Sequence, residues 1–239
     1  MRIWITGAST GIGAATAREL AARGHELFLT ARSADRLAAL PGEPKPGDVT
    51  DREAMRRIGE EIAPLDIALL AAGTYRPVTP ATFTAELFRP HLEVNVMGTV
   101  NCIEAVLPDM LARRRGRIAV VASATGFAPL PRAAAYGATK AFLISMCESL
   151  RADLDGSGVA VTVINPGYVR TPLTDQNDFH MPLLMEPDEA ARIIADGVLE
   201  GKPEVSFPLR LALAMKLLGS APGAVARPAT ARLARRLRR

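Results

Sequence analysis

Short apolar, β-branched runs alternate with longer stretches whose apolar residues recur at helical spacing along the 239 residues. Arg2–Thr6, Glu26–Thr30, Asp66–Ala71, Arg117–Ala122 and Val159–Ile164 predict strands, and Glu204–Phe207 a shorter, weaker one. Between them, Gly11–Arg23, Asp51–Ala63, Phe88–Arg113, Ala134–Asp155 and Pro187–Glu200 predict helices. Alternation of this kind builds βαβ units, in which a crossover helix returns the chain to lay each strand parallel to the last. The expectation is a single α/β domain: a Rossmann-like, doubly wound parallel sheet with helices on both faces. One strand of such a sheet is hard to see. The prolines and glycines from Leu40 to Gly47 disfavour regular structure, so a degenerate strand at best precedes Asp48-Val49-Thr50.

Composition narrows the class. Hydrophobic residues make up 49% of the chain, but three Tyr, seven Phe and one Trp leave aliphatic side chains to fill the core. Cys102 and Cys147 lie inside apolar helical patterns and read as buried thiols in a reducing compartment. The first strand begins at Arg2, which leaves no room for a signal peptide, and no uncharged apolar run approaches the roughly 18 residues of a spanning helix. A cytoplasmic protein is expected.

The net charge of +4 is unevenly distributed. From Val205 onward there are eight basic residues (Arg210, Lys216, Arg227, Arg232, Arg235, Arg236, Arg238, Arg239) and no acid, which leaves the remainder at −4. The division implied is a dinucleotide-binding body, 1–205, and a basic, apolar helical extension of the same domain, 206–239. A nucleic-acid face on the body is not implied. For the extension, with helical stretches in Leu209–Leu218 and Thr230–Arg239, three readings compete. It packs across the site or a neighbouring subunit, it makes weak peripheral contact with an anionic membrane, or it is disordered. The interruptions at Gly219 and Pro222 tilt the choice toward packing.

Two local patterns carry chemistry. Thr6-Gly7-Ala8-Ser9-Thr10-Gly11-Ile12-Gly13 stands between the first strand and the first helix, where a glycine-rich turn lets backbone N–H groups meet a pyrophosphate at a helix N-terminus. Tyr136 and Lys140 lie four apart in a predicted helix, which puts a phenol and an ammonium on one face. A neighbouring cation favours the phenolate and moves a weak acid toward usefulness near neutral pH.

The glycine spacing, Asn95 in Val94-Asn95-Val96-Met97-Gly98, Ser123 thirteen residues before Tyr136, and Asn165-Pro166-Gly167 after a β-branched run resemble the short-chain dehydrogenases/reductases in order and spacing. The resemblance runs from residue 1 to about 205. It implies that Tyr136 is the general acid in carbonyl reduction and the base in alcohol oxidation, that Lys140 lowers its pKa and holds the nicotinamide ribose, and that Ser123 donates to the substrate oxygen. Asn95 would anchor a water relay from Lys140. The implied cofactor contacts are Gly7, Ser9, Thr10, Gly11, Ile12 and Gly13 at the diphosphate, Asp48 and Val49 at the adenine, and Ala72 and Gly73 at the ribose. Tyr136 and Lys140 belong to this set, as do Pro166, Gly167 and Val169, and Thr171 at the nicotinamide carboxamide or the diphosphate. Asp48 has a second reading as a helix cap, a place that Thr50 or Asp51 would fill as well.

Leu70-Ala71-Ala72-Gly73 departs from the family's Asn-Asn-Ala-Gly, which puts the asparagines' side-chain support in doubt. Where NAD-dependent members carry Asp, this chain has Ala31 followed by Arg32 and Ser33. An arginine there accommodates a 2′-phosphate, so NADP(H) is expected over NAD(H). Thr10 stands where some NADP-using members carry a second basic residue. The family also implies a small-molecule carbonyl or alcohol substrate and a homodimer or homotetramer. Phe179, Met181 and Leu184, in the Met- and Leu-rich segment after Thr171, suggest an apolar substrate wall. His25, His91 and His180 have no metal-ligand spacing, and no metal is expected. An NAD-dependent or epimerase-like member, or a catalytically silent nucleotide-sensing protein on the same fold, are the competing readings.

Overall fold

The computed structural model describes residues 1–236. Among these, the strands are β1 (Arg2–Thr6), β2 (Glu26–Thr30), β3 (Glu43–Pro44), β4 (Ile67–Leu70), β5 (Gly116–Val121), β6 (Val159–Pro166) and β7 (Glu204–Phe207). The helices are α1 (Gly11–Ala22), α2 (Ala34–Ala38), α3 (Arg52–Ile62), α4 (Ala85–His91), α5 (Gly98–Arg113), α6 (Ala134–Asp153), α7 (Pro187–Leu199), α8 (Leu209–Ser220) and α9 (Gly223–Arg236). The helix expected over Thr230–Arg239 thus falls inside α9 as far as Arg236; its last three residues lie outside the described residues.

The strands form one parallel sheet in the order β3-β2-β1-β4-β5-β6-β7. Winding runs outward from β1 in both directions, so a crevice opens beyond the carboxyl ends of β1 and β4, where α/β sheets bind ligands. The proline-rich segment does contribute a strand, but one of two residues, on the edge beside β2. An edge position tolerates proline because one side of the strand needs no donor.

Alternation along β1 sets the two layers. Ile3 and Ile5 pack with Ala17 and Leu20 of α1 and with Ile194 and Val198 of α7. Trp4 faces the other way, among Met55 and Ile58 of α3, Cys102 and Val106 of α5 and Leu143 and Cys147 of α6. The one tryptophan is fully buried, and its indole N–H donates to Thr30 Oγ1 at 2.8 Å. Both cysteines are buried free thiols in this layer.

The long helix expected over Phe88–Arg113 is interrupted. Between α4 and α5 the turn widens to a π-helix over Leu92–Met97. Pro90, inside α4, has no N–H to give the preceding turn. Such π turns are rare and gather at functional positions; this one contains Asn95.

Candidate active site

A cleft of about 660 Å³ opens at the carboxyl ends of β1, β4, β5 and β6. One end is the turn between β1 and α1. Gly7 and Gly11 take left-handed backbone conformations, with φ of +67° and +55°. A Cβ on Gly7 would lie 2.6 Å from the Ala72 backbone, and one on Gly13 2.3 Å from the Gly7 carbonyl oxygen. The chain is therefore drawn as tightly as glycine permits, and the turn forms a shallow cradle under the first turn of α1. Thr10 is the N-cap residue, but its side chain accepts from none of the helix's N–H groups. These donors and the positive end of the helix fit a pyrophosphate.

Thr171, distant in sequence, sits over this turn: a Cβ on Gly11 would lie 3.0 Å from its methyl group. Its place is fixed by Thr174, whose Oγ1 accepts from the Thr171 N–H at 2.9 Å and donates to the Val169 carbonyl at 2.8 Å. Asp48 and Val49 line the same end. Asp51, not Asp48, caps α3 by accepting from the Ala54 N–H, whereas the Asp48 carboxylate accepts from both donors of Thr50. Val49 is held by Asn101, which donates to its carbonyl at 2.9 Å. Arg32 and Ser33 follow β2 and open onto the cleft, joined by Arg36 of α2. Sequence pattern alone does not reveal Arg36, because α2 is a five-residue helix with no periodicity to read.

In the segment Ala71-Ala72-Gly73 the missing asparagine side chains are replaced by other ties. Thr6 Oγ1 accepts from the Ala72 N–H at 3.4 Å. Asn95 then grips Thr74 from both sides, accepting from its N–H at 2.7 Å and donating to its carbonyl at 3.1 Å. A third bond from Asn95 to Thr139 Oγ1, at 3.0 Å, ties the π turn to α6. Asn95 is wholly buried, and Thr139 is a contributor that the sequence reading missed.

Ser123, Tyr136 and Lys140 meet at the centre. Ser123, two residues beyond β5, is the N-cap of a short 3₁₀ turn, and its hydroxyl donates to Thr125 Oγ1 at 3.1 Å and, more weakly, to the Pro166 carbonyl at 3.4 Å. Tyr136 and Lys140 do share a face of α6: the ammonium lies 5.5 Å from the centre of the phenol ring. Lys140 donates to the Val121 carbonyl at 2.8 Å, which aims it into the sheet end. A Cβ on Gly73 would lie 3.5 Å from Asn95 Oδ1 and 3.8 Å from Lys140 Nζ, so both polar groups face the Gly73 backbone.

The electrostatics differ from the expectation drawn from helix spacing. Burial pushes the Tyr136 phenol up to about 12, with the Ser123 hydroxyl pulling it down and Tyr75 adding to the rise. Burial also brings the Lys140 ammonium down to about 8. Desolvation of the phenol outweighs any help from the neighbouring ammonium, which is itself desolvated.

Tyr75 was not anticipated. It packs edge-on against Tyr136, ring centres 5.1 Å apart, and its hydroxyl donates to Asn177 Oδ1 at 3.0 Å. It thus joins the phenol to the segment 172–185. Of that segment, Pro172, Leu173 and Thr174 line the cleft. Phe179, Met181 and Leu184 do not: Phe179 packs on Tyr168, and Met181 sulfur accepts from Asn177. Thr74, Arg76, Pro90, His91 and Val94 complete the wall, which is more polar than the sequence suggested. Among the described residues no three His, Cys, Asp or Glu side chains lie together as metal ligands would.

Known proteins resemble this chain in sequence and in fold. A family model described as short chain dehydrogenase matches residues 2–181. An uncharacterized oxidoreductase of Myxococcus xanthus is 38% identical over 242 residues, covering 96% of each chain. Another, from Staphylococcus epidermidis, is 33% identical over 82% of this chain and 87% of its own. A short-chain dehydrogenase from Sphingobium yanoikuyae, solved in complex with NADPH, superposes with a TM-score of 0.82 at 29% identity, over 97% of this chain and 95% of that one. One from Burkholderia cenocepacia, in complex with NADP, gives 0.85 at 25% identity, over 97% and 96%.

Proposed function

The chain belongs to the short-chain dehydrogenase/reductase family and is an oxidoreductase, and from that premise we propose that it transfers hydride between NADP(H) and the C=O/CH–OH group of a small molecule. The observation that carries the reading is the meeting of Ser123, Tyr136 and Lys140 beside a cleft whose other end is a glycine cradle. When bound, the nicotinamide supplies or accepts the hydride. Everything else falls to the protein. The cradle from Gly7 to Gly13 and Thr171 hold the diphosphate, Asp48 and Val49 border the adenine, and Ala72 and Gly73 border a ribose. Pro166, Gly167 and Val169 line the nicotinamide end.

Tyr136 gives its proton to the carbonyl oxygen during reduction and takes it back during oxidation. Its high pKa suits the first role, since the phenol is fully protonated at neutral pH. Ser123 turns its hydroxyl toward the same oxygen, where negative charge develops. Lys140 holds ribose hydroxyls, and a water between it and Asn95 refills the Tyr136 proton. The preference for NADP(H) rests on Arg32, Ser33 and Arg36, which leave a 2′-phosphate two guanidinium groups and a hydroxyl.

The test is steady-state turnover of a panel of ketones and alcohols with NADPH and with NADH, on wild type and Arg32→Ala. Carbonyl-dependent oxidation of NADPH is expected. Arg32→Ala should weaken NADPH by roughly ten- to a hundredfold and leave NADH unchanged, because a charge-assisted hydrogen bond contributes about 1.5–3 kcal/mol. Equal losses for both cofactors, or a wild type that prefers NADH, would reverse the cofactor assignment. Tight cofactor binding without turnover of any substrate would favour a nucleotide sensor.

A further inference from the structure

Helix α8 has two unlike faces. The inner one packs on the body: Ala212 and Met215 are buried, with Leu211 and Leu218 partly so, against Phe127, Ala128 and Leu130 in the loop after Ser123. Lys216 reinforces this by pairing with Glu204 at 2.5 Å and lying 4.9 Å over the Phe127 ring. Contact is close enough that a Cβ on Gly219 would fall 1.9 Å from the Phe127 carbonyl oxygen. The outer face is different. Leu209, Leu213 and Leu217 recur every fourth residue and are 64%, 50% and 73% exposed, a continuous leucine stripe turned to solvent. Arg210 stands beside it, and α9, after a 120° bend, adds exposed Arg227, Arg232 and Arg235 and exposed Val225.

We propose that the outer face of α8 together with α9 docks this protein on the surface of a bilayer rich in anionic phospholipid, leucines at the acyl boundary and arginines among the phosphates. Charge complementarity carries the choice of partner: from Val205 to the C-terminus there are seven arginines besides the paired Lys216, and no acid. A polyanion such as nucleic acid offers the leucines nothing. Symmetric pairing with a second copy would bury them but set arginine against arginine. Contact is peripheral, since among the described residues no single helix is long and apolar enough to cross a membrane. The docked helix borders Gly167 and the loop after Ser123, so this end of the cleft lies near the lipid.

The experiment is co-sedimentation of the full-length protein with vesicles of phosphatidylglycerol and phosphatidylcholine, against phosphatidylcholine alone. Two variants accompany it: Leu213→Gln/Leu217→Gln, and Arg227→Gln/Arg232→Gln/Arg235→Gln. All the replaced side chains are exposed, so melting temperature and elution volume should be unchanged. Wild type should bind the anionic vesicles and be released by salt. The arginine variant should lose on the order of 100-fold in partitioning, and the leucine variant roughly tenfold or more. Several results would overturn the proposal: no vesicle binding, binding unaltered in both variants, a leucine variant that elutes as a smaller assembly, or tighter salt-sensitive binding to duplex DNA than to vesicles.

Discussion

The side chains at the centre of the cleft are held at a cost that follows from where they sit. Lys140 is 4% exposed and donates only to a neutral carbonyl, so folding takes an ammonium out of water without a carboxylate to receive it. With its pKa near 8 in the folded protein against 10.5 outside it, the charged form is disfavoured by roughly 3 kcal/mol. Below pH 8 both states carry the proton and the native state bears the full penalty. Between pH 8 and 10.5 the unfolded chain holds more protons than the native one, so this group's contribution to stability rises with pH. Lys140→Met removes the charge and keeps the volume. At pH 7 the variant should be more stable in urea by about 1–2 kcal/mol, after loss of the bond to Val121, while turnover collapses. Its advantage should shrink as pH rises toward 10.5. A wild-type-to-variant difference that stays flat with pH would show that Lys140 is not desolvated as described. Such stabilisation by an inactivating substitution marks a position kept for function rather than folding.

Elements differ in how openly the sequence announces them. β1, β2 and β7 have the expected ends: β1 and β2 are nearly unbroken apolar runs, and the short alternating β7 is bounded by Pro203 and Pro208. β3 was hidden because two edge residues, one a proline, carry no pattern at all. The π turn was invisible for another reason: its apolar residues keep a helical rhythm, and the contacts of Asn95 with Thr74 and Thr139 that accompany it come from segments distant in sequence. Within the site, the glycine turn and the Tyr136–Lys140 pair were legible since their chemistry lies in adjacent turns of one element. Tyr75 and Arg36 were not, because the fold delivers them from loops and a short helix whose sequence has no rule to obey. Asn95 shows what such tertiary ties are worth. Asn95→Ala would take from Thr74 its partners for both N–H and carbonyl, while the Thr139 hydroxyl keeps its bond to the Tyr136 carbonyl, with an expected loss of about 1–3 kcal/mol in denaturant unfolding. Turnover should fall with it, since the segment carrying Gly73 loses its anchor. Stability within about 0.5 kcal/mol of wild type would mean that the π turn holds itself without Asn95.

At the scale of the whole molecule, a doubly wound sheet brings the two ends of the chemistry together from opposite halves of the chain. Strands β1 and β2 supply the cradle and Arg32, whereas β5 and α6 supply Ser123, Tyr136 and Lys140, and the crevice forms where winding changes direction. That division means phosphate binding and proton transfer should be separable by mutation. The most direct measurement is single-turnover hydride transfer from NADPH to an accepted carbonyl by wild type and Tyr136→Phe, with NADPH affinity determined on the same preparations. The account predicts a loss of roughly 10²–10⁴-fold in the transfer rate with NADPH affinity unchanged, because only the proton donor has been removed. A variant rate within about threefold of wild type would contradict it, since no general acid with a role of the expected size would then reside at Tyr136.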